Sequence, residues 1–560
     1  MRKLTIPLVS IPLLSSLSTA ALAQSTTPAE PPPLAPAPPP APNSESSSPA
    51  TPPAPPRDAP AMPAPMDLPA AQAETSSPVE LMSLRLMREK GLISKAEYES
   101  ALHDLSDSTG QLAASQESVV FGRWATTLYG FIEGDMIYDT TRSLIEVPGG
   151  TLIARAGTAT SPSSAGDNSR FTFGVRNTRL GIRMKAPEFH GVRVTGTLET
   201  DFLGNQPGVQ TGPYPNTTNT TLPSSPYTSE GAYLTNPTFR VRHANLKLET
   251  PVVDVLFGQY WQLFGWGPVY QPNSVEIQGL PGEIYARTPQ LRISKTAKSD
   301  AVSFEVAVAA VRPVQRDGGL PDGEAGLRFA VNSWTGAQTN GSTGSTVAPL
   351  SIAATGLLRQ VAVNQFAVSP KYTNNLTLSA IAVDAFLPVI PGTKENKDNS
   401  FSFNGEFSTG YGYADMFTST NFGVGFPTPA GAGFTTTPTS VKAAFFSPDI
   451  DPGIVTYDAN GHLHGIQITG WLFGAQYYLP GVDGKIWISG NYSHQQSANS
   501  HDYGFGGTPL YAQDWFDVNL FFDPVPAVRV GLEYANTNDC YVDGIHSINH
   551  RGQISGFFLF

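Results

Sequence analysis

The amino-acid sequence predicts an all-β fold: a transmembrane antiparallel β-barrel of about 16 strands, preceded by a disordered Pro-rich spacer and a short helical hairpin. Three observations support this prediction. Strand-length segments alternate apolar and polar side chains, tight turns alternate with long Gly/Ser/Thr-rich loops, and the chain ends in the apolar stretch 556–560, GFFLF. Bacterial outer-membrane barrels combine these properties, because one face of each strand meets lipid and the other meets water. Closure of a barrel also removes the unpaired strand edges of an open sheet.

Residues 1–23 have the order of regions found in a bacterial secretory signal peptide. Two basic residues precede an apolar run, and small residues follow it up to Ala23. Pro7 and Pro12 interrupt the apolar run, which argues against a retained transmembrane helix. We therefore expect cleavage after Ala23 and export of the mature chain.

Composition excludes several classes of protein. No later stretch approaches the roughly 18 uninterrupted apolar residues of a spanning helix, so a helical membrane protein is excluded. The formal net charge of −12 argues against nucleic acid as a partner, because phosphate binding needs a cationic surface. Cys540 is the single cysteine, so neither an internal disulfide nor a cysteine-based zinc site is possible.

Four histidines lie in two close pairs, His462 with His464 and His546 with His550. Neither pair has carboxylate or cysteine partners at the spacing of a metal site, so surface histidines are the better interpretation. We expect no metal and no cofactor.

Residues 24–78 and 79–106 precede the predicted barrel. The first range is rich in Pro, Ala and Ser and cannot bury enough apolar surface to fold. The second has apolar residues at helical spacing, with Gly91 between two predicted helices, and it resembles the short KxKGxIT/SxxEY/FE modules appended to many bacterial proteins. About 25 residues cannot form a stable core alone. We therefore expect 79–106 to pack on another copy of itself or on a periplasmic or cell-wall partner.

The predicted barrel covers residues 119–560, and its first strand shows the alternation clearly. Trp124, Leu128, Ile132 and Met136 fall on one face, opposite the polar face. A soluble β-sandwich shows the same alternation in single strands. The turn asymmetry and the aromatic residues near strand ends, at 129–131, 260–261, 477–478 and 515–516, favour a membrane barrel with an interfacial aromatic girdle.

Two stretches of the barrel need separate interpretation. Between residues 333 and 399 the alternation of short and long connections fails, and 375–389 fits either a strand or an inward-folded loop. At the C-terminus, Ile554, Phe558 and Phe560 share one face, as expected for a closing strand with its apolar side on lipid. The terminal Phe with alternating apolar residues also resembles the signal read by the outer-membrane insertion machinery, which implicates Phe558 and Phe560.

Residues 272–295, PNSVEIQGLPGEIYARTPQLRISK, resemble the pattern PxTxDFxGPxGxxxxRxPQxRYT of the DcaP-like trimeric outer-membrane porins. Similar stretches occur at 121–139, 177–187, 239–248, 257–264 and 356–360. The resemblance implies a homotrimer of barrels in the outer membrane of a Gram-negative bacterium, with the N-terminal segment in the periplasm. It also implies passage of small anions such as dicarboxylates. The spacer, the short hairpin and the 412–464 insertion depart from the family pattern.

Residues 170–298 are basic although the whole chain is acidic. They carry 13 Lys and Arg against 8 Asp and Glu, a net charge of +5. Strand alternation directs Arg179, Arg183 and Arg193 into the lumen, and side chains at i and i+4 of one strand lie about 13 Å apart on the same face. Such a ladder, continued by Arg287 and Arg292, would favour anions in the pore.

A structural role for the same arginines is the alternative. Pairing with Glu199 and Asp201 would make them a lattice that stiffens the barrel wall. Arg242 shares the parity of apolar neighbours, so the sequence does not assign its direction.

Residues 263–284 are too interrupted by Pro and Gly to form a strand. We expect this segment to fold into the barrel and constrict it, with Trp266, Tyr270 and Glu276 facing the lumen and with Glu276 and Glu283 opposing the arginines. The alternative is an extracellular cap that touches neighbouring subunits.

The sequence contains no nucleophile and base at a defined spacing, no GxSxG motif and no phosphate loop. We therefore expect a porin for small anionic solutes in outer-membrane lipid, and not an enzyme. Two alternatives are open: a structural barrel that tethers the envelope, and an outer-membrane hydrolase that assembles Ser and His from separate strands.

Overall fold

The computed structural model describes residues 118–121, 124–141, 168–204, 237–315, 318–339, 346–367, 370–417, 453–503 and 509–560, together with the isolated positions 146, 153, 166, 424, 426, 427, 429, 450 and 451. The predicted signal peptide (1–23), spacer (24–78) and helical hairpin (79–106) lie outside the described residues. Within the described part of the chain, no helix is long and apolar enough to span a membrane.

The described residues form twenty strands. These are β1 Ser118–Phe121, β2 Trp124–Asp139, β3 Arg170–Gly174, β4 Arg179–Lys185, β5 Arg193–Asp201, β6 Arg240–Glu249, β7 Asp254–Trp261, β8 Arg287–Lys298, β9 Val302–Val311, β10 Asp322–Gln338, β11 Thr346–Asn364, β12 Thr373–Ile390, β13 Phe401–Tyr411, β14 Val455–Tyr457, β15 Leu463–Gly465, β16 Gln467–Tyr478, β17 Ile486–Ser497, β18 Leu510–Val525, β19 Val528–Tyr541 and β20 His546–Leu559.

The strands close into an antiparallel barrel. Each strand from β4 to β13 pairs with its neighbour along the chain, β13 pairs with β16, and each strand from β16 to β20 again pairs with its neighbour. β20 pairs with β2, and β2 pairs on its other edge with β3 and β4, which share one position in the wall. Counted over the described residues, the wall has sixteen strand positions, and the predicted antiparallel barrel of about 16 strands is confirmed. β14 and β15 form a separate two-stranded sheet at the end of the 412–464 insertion.

The two faces of the wall differ in polarity, as the alternation predicts. In β2, Trp124, Leu128, Ile132 and Met136 point outward and are between 39% and 56% exposed, whereas the intervening Glu133 is fully buried inside. The exposed apolar side chains of the other strands extend this outer apolar surface around the barrel. An apolar exterior around a polar interior is the arrangement that lipid outside and water inside require.

The aromatic pairs do not all contribute to an outer girdle. Trp261, Tyr478 and Trp515 are buried inside the barrel, while Phe516 points outward. Successive side chains on a strand point to opposite faces, so only one member of each adjacent pair can meet lipid. Part of the aromatic content therefore fills the interior.

The C-terminus closes the barrel. Phe560 and Gly130 exchange two backbone hydrogen bonds of 2.9 and 3.1 Å, and β20 continues the pairing with β2 up to Asp139. Ile554 and Phe558 are about half exposed on the outer face, and Phe557 is buried inside. The apolar end of the chain is thus a wall strand, as expected from the alternation.

The stretch 375–389 lies within β12, so the inward-folded loop alternative is wrong for it. β10, β11 and β12 have 17, 19 and 18 residues, and only residues 339–345 separate the first two. The alternation of connections fails there because long strands take up residues that elsewhere belong to loops.

Candidate functional site: a basic cavity beside an inward-folded loop

Residues 262–286 connect β7 to β8 and lie inside the barrel; we call this segment the inner loop. After β7, the inner loop first runs along the inner face of the wall near β10. The N–H groups of Leu263 and Phe264 donate to one carboxylate oxygen of Glu324 in β10, at 2.8 and 3.1 Å. One buried acidic side chain thereby satisfies two backbone donors that a loop without regular pairing would leave free.

The middle of the inner loop reaches strands β17 to β19. Glu533 accepts hydrogen bonds from the N–H groups of Val275 and Glu276, at 3.1 and 3.0 Å. The Asn273 carbonyl accepts from Ser489 and Asn491, at 2.7 and 2.9 Å. The loop is therefore held by inward-facing polar side chains of its own barrel.

The end of the inner loop is attached near β13. The Ile284 N–H donates to Glu406 at 2.7 Å, and the Tyr285 N–H donates to the Met416 carbonyl at 2.9 Å. These contacts place the segment in the interior, in agreement with an inward fold and not with an external cap.

The inner-loop residues selected from the sequence take three different positions. Trp266 lines an open cavity. Tyr270 is buried, and its hydroxyl donates to Ser351 Oγ at 3.0 Å. Glu276 and Glu283 turn away from the cavity: Glu276 faces Arg551 of β20 at 3.7 Å, and Glu283 accepts the Leu280 N–H at 2.9 Å. Burial raises the pKa of Glu283 to about 8. Neither acid contacts Arg179, Arg183 or Arg292, and of the arginines selected from the sequence only Arg287 acts electrostatically on Glu283.

A cavity of about 580 Å³ lies between the inner loop and the inward faces of β2 and β4–β10. Its lining contains seven Lys or Arg residues and four Asp or Glu residues, so its formal charge is positive. The charged residues of the lining are Arg179, Arg183, Lys185, Arg242, Lys247, Arg292, Arg328, Glu199, Glu249, Asp254 and Glu305.

Strand register arranges three of these cations in a row. Lys185 pairs with Thr195, Thr195 with Lys247, and Lys247 with Leu256. Leu256 pairs in turn with Arg292. Adjacent strands lie about 4.8 Å apart, so the cations of β4, β6 and β8 stand about 10 Å apart around the barrel.

One group of arginines forms a lattice with acids. Arg242 donates to Glu199 at 2.8 Å and to Asp201 at 3.2 Å, while Arg240 Nε donates to Asp201 at 2.9 Å. Arg179 is 3.7 Å from Glu199. Around Glu199 and Asp201, the arginines therefore form the ion-pair lattice that the sequence analysis gave as the structural alternative.

A β-bulge explains the direction of Arg242. Glu199 pairs with His243 and Thr200 pairs with Val241, so Arg242 is the extra residue of β6. A bulge interrupts strand alternation and redirects a side chain. Arg242 and His243 are consequently both buried inside. Sequence periodicity missed Arg242, because the bulge depends on the register with β5.

A second group of cations lacks such partners. Within the described residues, Arg183, Lys185 and Arg292 have no carboxylate oxygen within 4 Å. Arg183 lies over the Tyr129 ring at 5.0 Å, and Arg292 lies over the Tyr260 ring at 5.8 Å. Arg292 also donates to the Trp261 carbonyl at 2.6 Å, which fixes its position without neutralising its charge.

The two remaining arginines selected from the sequence do not line this cavity. Arg287 stacks on Trp261 and Tyr285, at 4.7 and 4.9 Å. Arg193 has a side chain that is 63% exposed and lies 3.5 Å from Glu249. The structure thus brings together Arg179, Arg183, Arg292 and Glu199 around the cavity. Asp201 does not line the cavity but contacts Arg242, which does. Arg193 lies at the end of its strand.

No protein-family model matches the chain, and no curated protein matches it. The chain is similar to solved structures of outer-membrane channels, and the first of those below shares its fold. The outer membrane channel DcaP of Acinetobacter baumannii is 16% identical, with a TM-score of 0.52 over 79% of this chain and 99% of that chain. The anion-selective porin from Comamonas acidovorans is 10% identical, with a TM-score of 0.41 over 78% and 100% of the two chains. OmpF of Salmonella typhi, in complex with daunomycin, is 10% identical, with a TM-score of 0.41 over 79% and 100%.

Proposed function

We propose that this chain is an outer-membrane porin, a water-filled channel for passive diffusion of small solutes that prefers anions. The fold shared with the outer membrane channel DcaP supports the channel, as does the apolar outer surface around a polar interior. Small dicarboxylates are the proposed solutes, because the DcaP-like resemblance implies them.

The unpaired cations carry the anion preference. Arg183, Lys185 and Arg292 line the cavity, and none of them has a carboxylate oxygen of a described residue within 4 Å. A cation that lacks a direct ion pair attracts small anions more strongly than a paired one, and partial exclusion of water strengthens the attraction. Arg179 and Arg242 are neutralised by Glu199 and Asp201, so they contribute mainly to the stability of the wall.

Reversal potentials in a planar bilayer under a salt gradient test the proposal. The wild-type channel is expected to prefer anions, and Arg183→Ala with Arg292→Ala should lower the anion-to-cation permeability ratio severalfold, because a few kT of potential are lost. A dicarboxylate on one side should permeate or block, and 1 M salt should weaken the preference, since the Debye length falls to about 3 Å.

The control removes a cation together with its acidic partner. Arg328→Ala with Glu305→Ala alters the lining of the same cavity but leaves its net charge unchanged, because these two residues form an ion pair of 2.9 Å there. A smaller shift is therefore expected. A wild-type channel that prefers cations, or a double mutant Arg183→Ala/Arg292→Ala with an unchanged ratio, contradicts the anion preference. Silent bilayers with turnover of ester or phospholipid substrates would favour a hydrolase.

The proposed assembly is a homotrimer delivered by a cleaved signal peptide, recognised by the insertion machinery through Phe558 and Phe560, and oriented with residues 24–106 in the periplasm. Native mass measurement in detergent should give three copies. Deletion of 24–110 should leave a barrel with heat-modifiable gel mobility, because the barrel contacts described above involve residues from 118 onward. A monomeric full-length protein contradicts the assembly.

A further inference from the structure

The first residues of the 412–464 insertion contact the inner loop; we call residues 412–417 the stem. Phe417 forms an antiparallel bridge with Ile284 of the inner loop. The adjacent Met416 carbonyl accepts the Tyr285 N–H at 2.9 Å. The stem therefore meets the inner loop through backbone pairing, in the manner of a short extra strand.

Apolar packing reinforces this pairing. Tyr413, Met416 and Phe417 of the stem belong to one buried cluster with Phe264 and Ile284 of the inner loop. The rings of Phe264 and Tyr413 meet edge to face, with centroids 5.7 Å apart. Phe264 is two residues from Trp266, which lines the basic cavity. A displacement of the stem would thus shift Phe264 and, through it, the position of Trp266 in the cavity lining.

A buried ion-pair group ties the stem to the barrel wall. Arg359 of β11 lies 2.6 Å from Asp415, donates to the Gly412 carbonyl at 2.8 Å, and lies 3.0 Å from Asp322 of β10. Its side chain is 1% exposed. The stem cannot leave this position without removing a partner from a buried guanidinium, which is costly.

We infer that the stem positions the inner loop, and that the Arg359–Asp415 pair thereby controls the width and steadiness of the channel. Arg359 and Asp415 are positioning residues, since they act on the cavity through the stem, Phe264 and Ile284. The inference rests on the proposed channel function. It assigns to the first residues of the insertion a role that the DcaP-like pattern, which lacks the insertion, does not provide.

The first experiment compares two matched variants by single-channel recording of the full-length protein. Asp415→Ala removes the stem's charged partner while Arg359 keeps Asp322, so the barrel is expected to fold. The control is Asp523→Ala, which removes the partner of another buried arginine of the wall, Arg529. The exposures match: 1% and 21% for Arg359 and Asp415, 1% and 19% for Arg529 and Asp523.

Asp415→Ala should raise open-channel current noise severalfold and increase the mean conductance, because the inner loop loses its support on one side. Asp523→Ala should change noise and conductance less than Asp415→Ala, because Arg529 reaches the inner loop only through Trp487, which lies under its guanidinium at 4.6 Å and donates to Asn273. Equal noise and conductance for Asp415→Ala and the wild type would overturn the inference. A wild type that does not conduct would instead contradict the proposed function, so the two failures are distinguishable.

A disulfide provides the rescue. Ile284→Cys with Phe417→Cys, in an Asp415→Ala and Cys540→Ser background, places two thiols on residues that are bridge partners. Directly opposed residues of antiparallel strands have the Cα separation that a disulfide requires. Oxidation should restore wild-type noise and conductance, and reduction should abolish the rescue. Failure of the thiols to pair in the membrane-inserted protein, or persistent noise after pairing, would overturn the inference.

Discussion

The two sides of the barrel interior use polar side chains for opposite purposes. On the side of β17–β19, inward-facing groups such as Glu533, Asn519 and Asn491 are buried and hydrogen-bond the inner loop. On the side of β4–β8, inward-facing groups such as Arg183 and Arg292 border an open cavity. Polar residues on a strand's inner face therefore do not by themselves mark a pore lining. The position of the inner loop decides which of them face water and which become structural.

The cations on the side of β4–β8 fall into two groups, those with an acidic partner and those without a direct ion pair. Around Glu199 and Asp201 the arginines are neutralised, whereas Arg183 and Arg292 keep their charge exposed to the cavity. The comparison therefore separates three kinds of polar residue: loop anchors, lattice ion pairs and cations available to a solute. Substitutions in each kind should give distinct results.

The largest effect on stability is expected from the lattice. Arg242→Ala removes the cation that two buried carboxylates share. Glu199 keeps Arg179 at 3.7 Å and Asp201 keeps Arg240, so the expected cost is about 3 kcal/mol, the lower end for breaking a buried ion pair. The measurement is the temperature at which the unboiled gel band converts to the unfolded mobility. The exposed negative charge should also reduce anion preference. Arg242→Lys is the control, because it keeps the charge but loses the planar fork that contacts both acids. An unchanged conversion temperature in Arg242→Ala would show that the lattice is not structural.

An intermediate effect is expected from a loop anchor. Glu533→Ala removes the acceptor of the Glu276 N–H and should cost about 1–3 kcal/mol, the penalty for one unsatisfied buried donor. Val275 is less affected, since its N–H also donates to Asn519 at 2.9 Å. Asn519→Ala should therefore be milder than Glu533→Ala in the same thermal assay. The reverse order would contradict the assigned anchor.

The smallest effect is expected from Glu283→Gln. The Glu283 carboxyl lies away from the cavity, and its pKa of about 8 keeps it mostly protonated at neutral pH. The substitution should therefore leave the reversal potential unchanged at pH 7. Above pH 8 the wild-type carboxyl ionises, so a small difference in anion preference can develop only there. A marked gain of anion preference at pH 7 would place a charged Glu283 at the cavity.

Several features of the site followed from the sequence because they depend on local alternation. Arg179 and Arg183 reach the cavity from one strand, and the inner loop was recognisable from its Pro and Gly content. Alternation could not predict which way the side chains of Glu276 and Glu283 point. Loop side chains have no fixed period, and their orientation depends on which wall residues lie opposite them.

The barrel, its outer apolar surface and its closing strand could be predicted from the sequence, because strand alternation is a local property with a period of two. Which charges remain available to a solute depends on contacts that form only in the folded barrel. A bulge against β5 turned Arg242 inward to neutralise Glu199 and Asp201, and residues distant in the chain, among them Glu324, Glu406 and Glu533, placed the inner loop. These contacts join residues far apart in sequence, so no local pattern encodes them; they exist only once the wall has closed around the loop.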